Sequence, residues 1–154
     1  MMEKINVSEY FKLGYVYYLW DGDDVVYVGQ STALSHRIRQ HLSSKLFDSF
    51  SFIRCSIDEM DELEGREIMR LNPKYNRQLN EKNGYCSINR VLNKAYKYKH
   101  NNRNLIVGAQ LISKFLDVLH NQKVQILKFN NIYYVSNQDI ELAIDIAIAM
   151  KVIK

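Results

Sequence analysis

Residues 15–20, Tyr-Val-Tyr-Tyr-Leu-Trp, form an unbroken β-branched and aromatic run that predicts a strand. Asp21-Gly22-Asp23-Asp24 carries turn chemistry, and Val25-Val26-Tyr27-Val28 predicts a second strand ended by Gly29, so the two read as a hairpin. After Ser31-Thr32, either of which suits a cap, Leu34, Ile38 and Leu42 recur at i, i+4, i+8 and predict a helix to about Ser43. Phe50, Phe52, Ile53 and Cys55 predict a third strand. Ser56 and Glu59 then form an S-x-x-E capping-box pattern, opening a helix that ends near Leu71 because Pro73 disfavours helix before it. The order ββαβα describes a small α+β unit closing near residue 80.

The second half has a different rhythm. Residues 86–97 predict a basic helix, 101–104 a loop, and Leu105–Leu119 a helix with Leu111, Phe115 and Leu119 on one stripe. Val124–Val135 reads as a hairpin turning at Asn130-Asn131, a favoured type I′ pair, and Ser136 or Asp139 caps a final helix through Ile148. Helix, hairpin, helix resembles a winged-helix or excisionase-like module. The expected organisation is a domain at 1–80, a basic connecting segment at 81–104 and a DNA-binding module at 105–154.

Composition narrows the function class. The 154 residues are 47% hydrophobic and 25% charged, which suits a folded chain and excludes wholesale disorder. No apolar run approaches the ~18–20 residues of a membrane helix, so no membrane association is expected. The N-terminal stretch holds Glu3, Lys4, Glu9 and Lys12 and no signal core, and Asn, Lys, Ile and Tyr usage suggests an AT-rich genome. The expected compartment is the cytoplasm of a bacterium or phage host. Cys55 and Cys86 match no metal-ligand spacing and are expected as free thiols, and the four histidines form no zinc pattern. The net charge of +4 is unevenly spread: Lys74–Arg103 holds eight basic residues against Glu81 alone, which leaves the rest of the chain net acidic. Tyrosines 75, 85, 96 and 98 interleave with that block, a composition suited to a polyanion.

Several side chains stand out chemically. A three-residue loop at Asp21–Asp23 would set Tyr17 opposite Tyr27 on one face, whereas a four-residue loop would separate them. Arg37 and His41, at i and i+4, share a helix face where guanidinium and imidazole can converge on an anion. Glu64 lies four residues from both Met60 and Ile68, on an apolar face where a carboxylate is costly unless paired, protonated or metal-bound. Glu62 and Glu67 read as solvated.

In order, Tyr15-Val16-Tyr17, Tyr27-Val28-Gly29, Leu34-x-x-Arg37, Leu63-Glu64 nine residues before proline, and Asn72-Pro73-Lys74-Tyr75-Asn76 resemble the GIY-YIG nuclease family over residues 14–79, about half the chain. Two departures stand out: Tyr15 replaces the motif glycine, unless Gly14 serves, and His36 stands where homing-type members carry lysine. The resemblance implies a three-stranded antiparallel sheet flanked by helices. It gives Tyr17 and Tyr27 the motif tyrosine positions, Arg37 that of the catalytic arginine and His41 that of a histidine found in many members. Glu64 takes the place of the single metal-ligating carboxylate, and Asn76 that of a supporting asparagine.

The implied chemistry is phosphodiester hydrolysis with Mg²⁺ or Mn²⁺, Tyr17 acting as base, Tyr27 orienting water or phosphate, and His41 competing for the base role. The expected protein is a site-specific DNA endonuclease, monomeric or transiently dimeric on DNA, with RNA open as a substrate. The alternatives are a structure-selective repair or recombination nuclease and a non-catalytic DNA-binding regulator. DNA contacts are expected from His36, Arg39, Lys74, Arg77, Arg90, Lys94, Lys97, Lys99 and Arg103.

Overall fold

A computed structural model describes residues 2–100 and 107–150. The chain is α+β and divides into two compact units, Met1–Arg77 and Gln78–Lys154. The expected helix start at Leu105, the 101–104 loop and Arg103 fall outside the described residues.

The first unit opens with a single helical turn, α1 (Val7–Tyr10), then β1 (Leu13–Asp21), β2 (Asp24–Ser31), α2 (Leu34–His41), β3 (Ser49–Ser56) and α3 (Ile57–Leu71). The three strands form one antiparallel sheet in the order β2-β1-β3. The hairpin turn is shorter than either loop considered from sequence. Asp21 pairs with Asp24 across Gly22-Asp23, with Gly22 at φ 60°. The pairing then shifts between Leu19 and Trp20: Trp20 faces Val25, but Leu19 faces Tyr27, so Val26 is an inserted bulge residue. Without that insertion Tyr17 would oppose Val28, and Tyr27 would point through the opposite face. With it, Tyr17 opposes Gly29, and Tyr27 lies diagonally beside it on the same face.

Two helix boundaries differ from expectation. Helix α2 stops at His41, and Leu42 is 65% exposed while His41 is buried. The inward stripe is therefore Leu34, Ile38 and His41, because i+7 lies nearer the stripe centre than i+8 here. Ala33 is its N-cap, and Ser31 reaches only the Ala33 amide. Ser56 precedes α3 in extended conformation but makes no side-chain cap, so the expected capping box is absent. The Ile57 amide instead bonds the Lys12 carbonyl, tying the strand-to-helix junction to the start of β1. Asn72 ends α3 at φ 45°, a left-handed cap directly before Pro73.

The second unit holds a 3₁₀ turn (Glu81–Asn83), β4 (Tyr85–Ser87), α4 (Ile88–Lys99), α5 (Ala109–Asn121), β5 (Ile126–Phe129), β6 (Ile132–Ser136), a further 3₁₀ turn (Asn137–Asp139) and α6 (Ile140–Ala149). Its antiparallel sheet runs β4-β6-β5. Strand β4 was not anticipated, since three residues carry too little pattern to read. The stretch expected as a connection from 81 onward is folded into this unit: Val91, Leu92 and Ala95 of α4 lie in its core with Phe115, Leu119, Ala143 and Ala147. The alanines at i and i+4 of α6 leave room for α4, its main helical neighbour. Asn130 and Asn131 sit at φ 48° and 62°, the type I′ geometry expected of the second hairpin. Cys55 and Cys86 are free thiols. Among the described residues, no helix is long and apolar enough to cross a membrane.

Candidate active site

The hairpin bulge, α2 and the chain after α3 together build one cluster on the first sheet. Tyr17 is fully buried. Its hydroxyl lies 2.7 Å from His41 Nε2, and the other ring nitrogen, Nδ1, receives Lys45 Nζ at 3.0 Å. The Tyr17, Tyr27 and His41 rings are mutually in contact, with centroids 6.1, 5.8 and 4.7 Å apart. Lys45 Nζ also sits 4.6 Å from the Tyr27 ring centroid. Arg37, whose Nη1 donates to Gln40 Oε1 at 2.9 Å, and the Glu64 carboxylate are both close enough to act on the two tyrosine hydroxyls electrostatically.

Donor logic orders the protons. An ammonium has no lone pair, so Lys45 donates to Nδ1. A neutral His41 then carries its proton on Nε2 and donates it to the Tyr17 oxygen. His41 is held neutral: burial first, then the Lys45 and Arg37 charges, push its pKa from 6.5 down to about 4. Burial and the neighbouring Tyr27 push the Tyr17 hydroxyl well above its ordinary range, against the pull of Arg37. Burial and then Glu64 raise Tyr27, again opposed by Arg37. Lys45 is lowered by burial and then by Arg37.

This geometry redistributes the expected roles. Tyr17, the expected base, is sealed from solvent with its oxygen taken by His41. Tyr27 is half-buried and is the outer of the two hydroxyl-bearing rings. His41, the competing base, has both ring nitrogens engaged and a depressed pKa.

The backbone is shaped around these rings. A Cβ on Gly29 would lie 2.4 Å from the Tyr17 hydroxyl oxygen, 2.5 Å from its Cζ and 2.8 Å from Tyr27 Cε1. Only a glycine lets the Tyr17 ring lie across β2 there. Gly14 is similarly closed, against Met60 of α3. Asn76, expected among the catalytic groups, is buried. Its amide bonds the Val28 amide at 2.8 Å and the Val28 carbonyl at 2.9 Å, and the Tyr75 amide bonds the Val26 carbonyl. It therefore holds the outer edge of β2 in place of a fourth strand.

Glu64 is 9% exposed on α3, as its position between Met60 and Ile68 suggested. Gln30 Nε2 donates to Glu64 Oε2 at 3.3 Å and also to Asp61 Oδ1. Two carboxylates one helical turn apart thus share one amide. Among the described residues, no group of three or more His, Cys, Asp or Glu is arranged as a complete metal cage. The Asp61–Glu64 oxygens fit a hard divalent cation of the kind that takes one or two carboxylates and completes its shell with water and phosphate.

Lys45, Gln30 and Asp61 were missed in the sequence. Lys45 stands four residues beyond His41 and Asp61 three before Glu64, so spacing could have flagged both. Glu67, read as solvated, is half-buried and accepts from Tyr18 at 3.1 Å and Arg70 at 2.5 Å.

The expected DNA contacts scatter. His36 and Arg39 are exposed on α2, where Gln40 bonds His36. Lys74 pairs with Asp21 at 3.8 Å, and Arg77 is exposed at the end of the first unit. Arg90 and Lys94 both pair with Glu81, at 3.2 and 2.8 Å, so part of the basic block is neutralised within its own unit. Lys97 and Lys99 are exposed on the last turn of α4. No family model, curated protein or solved structure matches this chain.

Proposed function

We propose that the protein is a GIY-YIG-type, divalent-metal-dependent endonuclease that hydrolyses phosphodiester bonds in DNA. The observation that carries this reading is the meeting of Tyr17, Tyr27, Arg37, His41 and Glu64 in one cluster, drawn from three separate stretches of chain. A packing role alone does not call for a guanidinium, an ammonium and a buried carboxylate around two phenols.

Glu64, with Asp61 beside it, would hold Mg²⁺ or Mn²⁺, which when bound polarises the scissile phosphate and stabilises the leaving oxygen. Arg37, exposed near both tyrosines with one nitrogen on Gln40, would fork onto non-bridging oxygens that gain charge in the transition state. Tyr27 is the hydroxyl that meets the attacking water; burial and Glu64 hold it protonated, and a cation held by Glu64 would offset that carboxylate and favour the phenolate able to take the water proton. Arg37 supports that phenolate, as does Tyr17, whose own proton is free to point at Tyr27 because His41 donates to its oxygen. Lys45 fixes the His41 tautomer and so the direction of the chain. His41 is thereby a positioning residue.

The second unit is the proposed DNA reader. Its order of strand, helix, helix and hairpin, with β4 against the second hairpin strand, suits a winged-helix-like module. In that arrangement α5 presents Gln110, Ser113, Lys114 and His120 outward, side chains able to reach base edges. This favours site-specific cutting.

The test is incubation of supercoiled plasmid with wild type and Glu64→Ala, in Mg²⁺ and in EDTA. Nicking or linearisation by wild type with Mg²⁺ alone supports the reading. Metal-dependent cutting by Glu64→Ala overturns the site assignment. Silence of wild type on plasmid, branched DNA and RNA overturns the nuclease reading.

A further inference from the structure

Beside the tyrosine cluster, on the same face of the first sheet, lies an open groove of about 610 Å³. Its floor is aromatic: Tyr15 meets Phe52 edge-on at 5.6 Å, and outside the groove Phe50 stacks on Phe52 at 6.5 Å. Phe50 and Phe52 are each 48% exposed, an unusual surplus of open ring surface on one strand. Its walls are cationic or neutral: Arg54 from β3 and Arg39 with His36 from α2. Among the described residues that line it, none is Asp or Glu.

Strand register places the groove relative to the proposed reaction. Phe52 pairs with Tyr17 and Arg54 with Tyr15, so ring and guanidinium stand on the Tyr17 side of the sheet. Neighbouring strands are ~4.8 Å apart, so Phe52 stands one strand-width from the Tyr17 backbone, while the Tyr17 ring leans the other way, across β2.

Exposed rings flanked by arginines match a ligand with flat apolar faces and a repeating anion. In a duplex the base faces are already stacked inside, and only unpaired nucleotides offer them. We propose that this groove holds unpaired nucleotides of a DNA or RNA strand, bases on Phe52 and Tyr15, phosphates on Arg54 and Arg39. This rests on the nuclease reading of the adjacent cluster, and it adds a preference for substrates with a displaced or frayed strand next to the cut.

The experiment uses the full chain carrying Glu64→Ala, so that no probe is cut. A short single-stranded oligonucleotide containing 2-aminopurine is titrated in parallel with a labelled duplex of the same sequence. Phe52→Ala is expected to weaken single-strand binding about tenfold and to abolish the 2-aminopurine quenching, with less than about a twofold effect on the duplex. Phe52→Leu keeps apolar bulk without a π-face and is expected to behave as the alanine variant does, which separates lost stacking from a disturbed fold. Arg54→Gln is expected to flatten the single-strand salt slope by about 0.7. Equal losses on both probes, or no loss, overturn the groove. Plasmid cleavage by the Glu64-intact protein, together with a Phe52-independent single strand, sinks the groove alone. A Phe52-dependent single strand with no cleavage of any nucleic acid leaves the groove standing and sinks the nuclease reading.

Discussion

Replacing Gly29 with alanine tests the packing at the centre of the site. No left-handed φ is recorded at Gly29, so alanine meets no backbone strain there. On conformational grounds the change would stabilise by about 0.4–1 kcal/mol, because the unfolded chain loses freedom. Sterically it collides: the new methyl falls 2.4 Å from the Tyr17 hydroxyl oxygen and 2.5 Å from Cζ. Ordinary contact requires about 1 Å more. The ring has no slack, since Tyr17 is fully buried and its oxygen is held 2.7 Å from His41. Overpacking costs about 1–3 kcal/mol. Losing the buried hydrogen bond adds about 1 kcal/mol. The net expectation is a loss of about 2–3 kcal/mol. Trp20, the single tryptophan, lies on β1, so urea unfolding followed by its fluorescence reads the first unit. Gly14→Ala is the comparison: its overlap with Met60 Sδ is deeper, at 2.0 Å, yet methionine can re-route. It is expected to cost under about 1 kcal/mol. An unchanged Gly29→Ala midpoint, or a larger loss at Gly14, would refute the reasoning.

Three further outcomes follow from the same cluster. His41 binds its proton less readily folded, at about 4, than unfolded, at 6.5, so stability is present above 6.5 and lost as pH falls toward 4. That loss is at most about 3 kcal/mol, and His41→Asn should flatten it in urea titrations between those limits; an unflattened profile assigns the dependence to other groups. Lys45→Met removes the second cause of the His41 shift and leaves burial, so the imidazole pKa followed by NMR should rise yet stay below its ordinary value; no movement would contradict the Lys45–Nδ1 contact. Asn76→Asp keeps the acceptor for the Val28 amide but sets an oxygen against the Val28 carbonyl, so it should cost about 2 kcal/mol or more at neutral pH and less in acid, where a protonated carboxyl can donate; a tolerated Asp at pH 7 would show that the amide pair carries little.

The sequence disclosed elements more readily than their phase. The three strands of the first sheet, the Pro73 stop and the Asn130-Asn131 turn each rest on local chemistry and are legible from a few residues. Glu64 was legible as a buried carboxylate because its neighbours at ±4 are apolar. The bulge at Val26 was not, since alternation in Val25–Val28 looks the same whichever residue is inserted. His41 against Leu42 turned on 20° or so of helix phase, which hydrophobicity alone decides wrongly when an imidazole is buried through hydrogen bonds. Lys45 lay past the helix end, where periodicity no longer applies. Pairing of Arg90 and Lys94 with Glu81 depended on a turn that charge counting does not see.

The Asn76 amide also has a consequence in time. Along the open side of β2, outward backbone pairs occur only at alternate residues, so a strand slipped by one position would offer that amide nothing to grip. Asn76 therefore recognises the bulged pairing alone, the one in which both tyrosines share a face. During synthesis the hairpin is complete by Ser31, but the residue that selects its register arrives 45 positions later, next to the last of the unit. A nascent chain can pair its first strands early and still lack the assembled face until that asparagine leaves the ribosome.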